Sequence, residues 1–175
     1  MSDTPEFARP FDIRAISDKP VELVANDSEC AALASRFGLV AIHSLSATLS
    51  LEVKGEEISA TGPMRAVIVQ SCAVSGDDLA SDLGENVTVR FVPLASMEAS
   101  EEDEEIELAA EDLDDIPYEG TSFDLGEAVA QSLALAIDPF ASGPKADTVR
   151  RDQGLIEEGE SDGPMAAGLQ GLRRD

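Results

Sequence analysis

The sequence predicts an α+β domain: an antiparallel β-sheet of about four or five strands with two packed helices, an acidic loop and a disordered C-terminal tail. Three observations carry that expectation. Apolar residues alternate at a period of two over residues 45–53 and again over 58–68, the spacing that turns one face of a strand toward a core. Stretches near 27–37 and 124–138 instead repeat their apolar residues every three or four positions, as amphipathic helices do. Finally, 175 residues with 43% hydrophobic content suit one ordinary domain.

Each element follows in chain order. Residues 1–9 carry no periodicity and are expected to be a flexible N-terminal tail, with the single domain spanning 10–140. Phe11, Ile13 and Ala15 alternate with Asp12 and Arg14 as a short first strand, which the Ser17–Pro20 breaker cluster ends. Asn26 followed by Glu29 has the spacing of a capping box, so a helix is predicted over 27–37 with Cys30, Leu33, Ala34 and Phe37 on one face and Gly38 as its stop. Leu45, Ala47, Leu49, Leu51 and Val53 then point one way while Ser44, Ser46, Thr48, Ser50 and Glu52 point the other. The turn at 54–57 returns the chain through Ile58, Ala60, Gly62, Met64, Ala66 and Ile68, which makes an antiparallel hairpin. Pro63 lacks an amide donor and is expected at an edge or a bulge. Val87, Val89 and Phe91 give a further strand before Pro93. Asp124 or Ser122 caps a second helix on Leu125, Val129, Leu133 and Ile137, which Pro139 ends. Residues 141–175 lose periodicity and are expected to be a disordered tail. The alternation leaves open whether the sheet is barrel-like. Leu45, Leu49, Leu51, Val53, Ile58, Ile68, Val87, Val89, Phe91, Leu125, Val129, Leu133 and Ile137 are the expected core, since 4% aromatic content leaves most of it to aliphatic side chains.

Charge sets the functional limits. Thirty-six acids against 12 bases give a net −24, which repels phosphate backbones and favours basic partners. Twelve of those acids, with no base among them, fall between residues 98 and 119. Like charges at that density resist packing, so an acidic loop over 98–119 is expected. The leading partner-binding candidates in it are Glu101, Glu102, Asp103, Glu104, Glu105, Asp112, Asp114 and Asp115, as an electrostatic landing strip for a Lys/Arg-rich protein segment. Their spacing does not follow the EF-hand order, so specific calcium binding is not assigned.

Other chemistries find few groups. Cys30, Cys72 and His43 are too few for a structural zinc site. Cys30 belongs to an apolar helix face, and Cys72 sits at a strand exit with no base beside it in sequence. His43, the only imidazole, is placed on the wet face of its strand. Neither GxGxxG nor GxxxxGK[ST] occurs. No catalytic, cofactor-binding or metal residue is assigned, and no cofactor is expected. No signal peptide and no stretch of about 18 apolar residues is visible, so a cytoplasmic protein without membrane contact is expected.

The order of these elements resembles a known family. The run VIVQSCAVSGDDLASDLGENVTVRFVP, the acidic excursion and then DDIPYEGTSFDLGEAVAQSLALAIDPF are similar to the YceD-type large ribosomal RNA (23S rRNA) accumulation family. The positions that carry the likeness are Cys72, Arg90, Phe91, Pro93, Asp124, Leu125, Glu127, Leu133, Leu135 and Pro139. The resemblance implies a non-enzymatic ribosome-biogenesis factor, a basic ribosomal protein as partner, and RNA contact that is indirect or weak. Members with several cysteines near the position of Cys72 and after the C-terminal helix suggest metal binding there; in this chain Cys72 stands alone and residues 141–144 carry no thiol. A general acidic interaction module unrelated to ribosomes is the alternative, with a hydrolase or metal enzyme third.

Overall fold

The capping box forms as the sequence predicts. Asn26 Oδ1 accepts the backbone N–H groups of Ser28 and Glu29 at 3.0 Å each, and the Glu29 carboxylate accepts the Asn26 N–H at 2.8 Å. This starts α1 (Asp27–Phe37), which Gly38 ends in the left-handed region at φ 66°. The computed structural model describes residues 5–96 and 114–154. Its chain divides into two units, Met1–Gln70 with Ala80–Asp138, and Ser71–Leu79 with Pro139–Asp175.

Five strands build the main sheet: β2 (Val21–Val24), β3 (Ala41–Lys54), β4 (Glu57–Ser71), β5 (Asp78–Pro93) and β6 (Asp114–Tyr118), adjacent in that order. The β2–β3 and β3–β4 pairs are antiparallel, and β5–β6 is parallel. The sheet is open, with β2 and β6 as its edges, and does not close into a barrel. A separate two-stranded sheet pairs β1 (Pro10–Asp12) with β7 (Ser122–Asp124). The helix α2 (Leu125–Ala136) follows β7 directly. Its Leu125, Val129 and Leu133 are fully buried, each contributing about 1.5–3 kcal/mol by leaving water.

The core takes the apolar face of that alternation. Leu45, Leu49, Ile58, Ile68 and Phe91 are wholly buried, and Leu51, Val87 and Val89 nearly so. Val53 is the exception, exposed beside the hairpin turn, where its partner Ile58 is buried and no further layer covers it. The few aromatic residues are concentrated: the Phe123 ring lies 4.6 Å from Phe91, 6.0 Å from Phe11 and 6.4 Å from Tyr118. That cluster joins the two sheets of the first unit.

Three expectations are corrected. Residues 5–9 are not a free tail: Phe7 is completely buried, and the Arg9 backbone both donates to Asp124 Oδ1 (2.8 Å) and accepts the Leu125 N–H (3.1 Å). The first strand stops at Asp12, where Ile13–Ala15 wind into a 3-10 turn. Pro63 lies in β4, an interior strand. Pairing there lapses between Ala47–Met64 and Ser50–Thr61 without a change of register, and Gly62 lets the Thr48 carbonyl approach where a Cβ would stand 2.0 Å away. The bulge lies instead at His43, between the Ile42–Ile68 and Ser44–Val67 pairs. By strict alternation His43 would share the buried side with Leu45; the extra residue turns it to solvent.

Candidate functional site

The acidic run is rooted at one sheet edge. β5 ends at Pro93, and β6 starts beside Val89 and runs parallel to it, ending with Tyr118 opposite Pro93. Parallel neighbours need a crossover, and the acidic residues supply it. Glu101, Glu102, Asp103, Glu104, Glu105 and Asp112 lie outside the described residues. Asp114 opens β6, so the expected loop gives way to a strand at 114–118. Asp115 is engaged: Arg90 Nε and Nη2 donate to its two oxygens at 2.6 and 2.8 Å, with Glu57 3.8 Å from the same guanidinium. This bidentate clasp fastens the edge strand and takes Asp115 out of the set of free carboxylates.

The positions that carry the family likeness mostly hold the fold. Asp124 is the N-cap of α2, its Oδ1 accepting from Gly126 N–H (2.8 Å) and Glu127 N–H (3.1 Å). Glu127 then receives both terminal nitrogens of Arg36, at 2.9 and 2.7 Å, and Arg36 also reaches Glu6 at 3.0 Å. The Arg36 hydrogen bond holds the Glu127 carboxyl below its ordinary range. Arg9 makes the equivalent clasp on Glu29, at 2.7 and 2.8 Å, and depresses that carboxyl in the same way. Leu125, Leu133 and Phe91 are core. Leu135 is 78% exposed, and Pro139 is exposed at the start of the second segment of the other unit. Sequence reading missed the Arg9–Glu29 and Arg36–Glu127 pairs because partners 20 and 91 residues apart leave no local signal.

In the second unit, Cys72 is cradled by backbone. Its sulfur accepts the N–H groups of Ser75 (3.3 Å) and Gly143 (3.4 Å), while Gly76 N–H bonds the Cys72 carbonyl and Ala73 N–H the Ala141 carbonyl. The Ser75 side chain first, then the Gly143, Ser75 and Val74 backbone, pull the thiol down to about 6, which favours the thiolate. Cys72 is only 3% exposed. Burial pushes the other thiol, Cys30, upward. The metal that cysteine-rich relatives suggest does not fit this set: a single sulfur faces N–H donors, which cannot ligate a cation. Among the described residues no group of three or more His, Cys, Asp and Glu could hold a metal ion. A short helix, α3 (Ala146–Asp152), follows where a disordered tail was expected.

The family model for the large ribosomal RNA subunit accumulation protein YceD matches residues 60–167, well over half of the chain. The chain belongs to the YceD family. The matched region runs from within β4 through α3 and contains Cys72, the Arg90–Asp115 clasp, the acidic run and the Asp124 cap. Searches of curated proteins and of solved structures gave no match. YceD membership ties the protein to large ribosomal RNA accumulation. No helix among the described residues is long and apolar enough to cross a membrane.

Proposed function

We propose that the protein supports 23S rRNA accumulation and ribosome biogenesis in the cytoplasm by binding, not by catalysis, and that it does so by holding a basic ribosomal protein. What carries the reading is the set of twelve acids, with no base among them, over residues 98–119 inside the family-matched region. Such a run attracts Lys/Arg-rich segments and repels RNA, so its contact with ribosomal RNA is indirect. It shields the basic segment until that segment is placed on RNA. Attraction between opposite charges acts chiefly on encounter rate and fades as salt screens it.

The test is capture of ribosomal proteins by the purified chain at about 50 mM and 500 mM salt, against a variant with Glu101, Glu102, Asp103, Glu104, Glu105 and Asp112 changed to Gln or Asn. Asp115 stays intact because it fastens β6. Wild type is expected to capture basic ribosomal proteins at low salt only, and the variant much less. Equal capture by both would overturn the mechanism. An unchanged ratio of large- to small-subunit ribosomal RNA after depletion would leave only an acidic interaction module.

A further inference from the structure

We infer that a notch at the roots of the acidic run receives one cationic side chain, arginine or lysine, from the basic partner segment, with its aliphatic stem on Pro93 and Leu94 and its charged head between Glu56 and Glu119. This rests on the proposed function and adds a defined docking point to it. The notch has a volume of about 320 Å³ and is lined by Glu56, Pro93, Leu94, Ala95, Tyr118 and Glu119.

Its floor is set by the fold. Pro93 and Tyr118 are the last register pair of the parallel β5–β6 ladder. The Tyr118 hydroxyl donates to the Glu56 carbonyl at 2.6 Å, tying the β3–β4 turn to the end of β6 while the ring stays 8% exposed. That hydroxyl is satisfied by the chain itself. Glu119 is held by the tight turn that bridges it to Ser122 through Gly120, whose φ of 69° suits glycine.

Its rim is unpaired. The nearby base, Arg90, is engaged with Asp115 and Glu57, whereas Glu56 and Glu119 are exposed and neither takes part in an ion pair among the described residues. An apolar floor under two free carboxylates is the complement of an amphipathic Lys or Arg side chain, which buries its methylenes and keeps its head at a polar edge. Phosphate would meet like charge. The volume is at the low end for a small-molecule site, and the mouth is open, so one side chain of a longer segment fits better than a free ligand. Leu94 and Ala95 lead into the acidic run and Glu119 follows it, so a basic segment drawn to that run arrives at the notch.

The test uses the full chain and a fluorescein-labelled twelve-residue peptide of alternating arginine and glycine, read by anisotropy at about 50 mM salt. E56Q/E119Q is compared with D18N/E22Q, which removes the same charge at and before β2, the opposite sheet edge. E56Q/E119Q is expected to weaken binding about five- to thirty-fold, and D18N/E22Q less than about two-fold. Equal effects of the two pairs would overturn the inference, as would tighter binding of a labelled single-stranded RNA than of the peptide. The variant neutralised over residues 101–112 separates the two readings. If it alone weakens peptide binding, the notch is refuted and the acidic-run mechanism stands; if only E56Q/E119Q weakens it, the reverse holds. Asp18, Glu22, Glu56 and Glu119 are exposed, and circular dichroism confirms that each variant is folded.

Discussion

At the residue scale, the tightest constraint in the first unit falls on a glycine. Gly126 is the second residue of α2, and a Cβ there would stand 1.9 Å from the Phe7 carbonyl oxygen and 3.0 Å from the Arg9 nitrogen. Both obstacles are backbone, and both belong to a segment fastened by the Asp124 and Leu125 hydrogen bonds to Arg9. Neither can swing aside as a side-chain tip could. Gly126→Ala is therefore expected to lower unfolding free energy by about 2 kcal/mol, overpacking outweighing the gain in helix propensity. Denaturant titration checks it, with Gly84→Ala as control because nothing lies within 4 Å of that position; a variant as stable as wild type would mean that the N-terminal segment yields freely. The fully buried Phe7 shows the same dependence from the other side, since its burial requires residues 5–9 to lie against the start of α2.

At the element scale, what holds the acidic strand to the sheet is one guanidinium. β6 carries Asp114, Asp115 and Pro117 within five residues, a composition that disfavours strands, yet it pairs with β5 over its whole length. Arg90 offsets one charge at two short hydrogen bonds. Both side chains are about a third exposed, so solvent screening limits the pair to about 1 kcal/mol. Asp115→Asn should raise amide exchange at Ile116 and Tyr118 about five-fold and leave β3 unchanged; equal protection would show that the backbone ladder suffices. The same strand marks where sequence reading stops. α1, α2 and the β3–β4 hairpin were legible because caps and periods are local features of consecutive residues. β6 was not, because its partner Arg90 is 25 residues away and only Ile116 and Tyr118 alternate. β2 shows a single buried residue, Leu23, too little to register as a period, and the His43 bulge breaks the alternation at the start of β3. Glu56 and Glu119 were invisible as a pair for the same reason as Arg36 and Glu127: residues far apart in sequence meet only in the folded chain.

Across the whole molecule, five of the ten bases among the described residues, Arg150 with its neighbour Asp147 included, are held in ion pairs. Arg9, Arg36 and Arg90 meet Glu29, Glu6 with Glu127, and Asp115 with Glu57, while Lys145 meets Asp77 in the second unit. The continuous apolar core, from Phe7 to Leu133, belongs entirely to the first unit, whereas the second is organised around Cys72 and its N–H donors. Ending the chain after Asp138 should therefore preserve the far-ultraviolet circular dichroism and cooperative unfolding of the first unit while removing the Gly143 donor. Thiolate absorbance at 240 nm, with Cys72→Ser in the same background to subtract Cys30, follows the consequence. In the full chain Cys72 titrates near 6, below the ordinary thiol value of 9.0. Between those values the unfolded chain holds a proton that the folded one has lost, so the thiolate's contribution to stability is absent below about 6, grows with pH and is complete above about 9. In the shortened chain the midpoint should move up toward 9 and that pH-dependent gain should shrink. A midpoint unmoved from about 6 would mean that the Ser75 turn alone stabilises the thiolate, and loss of cooperative unfolding would mean that the first unit's core does not suffice by itself.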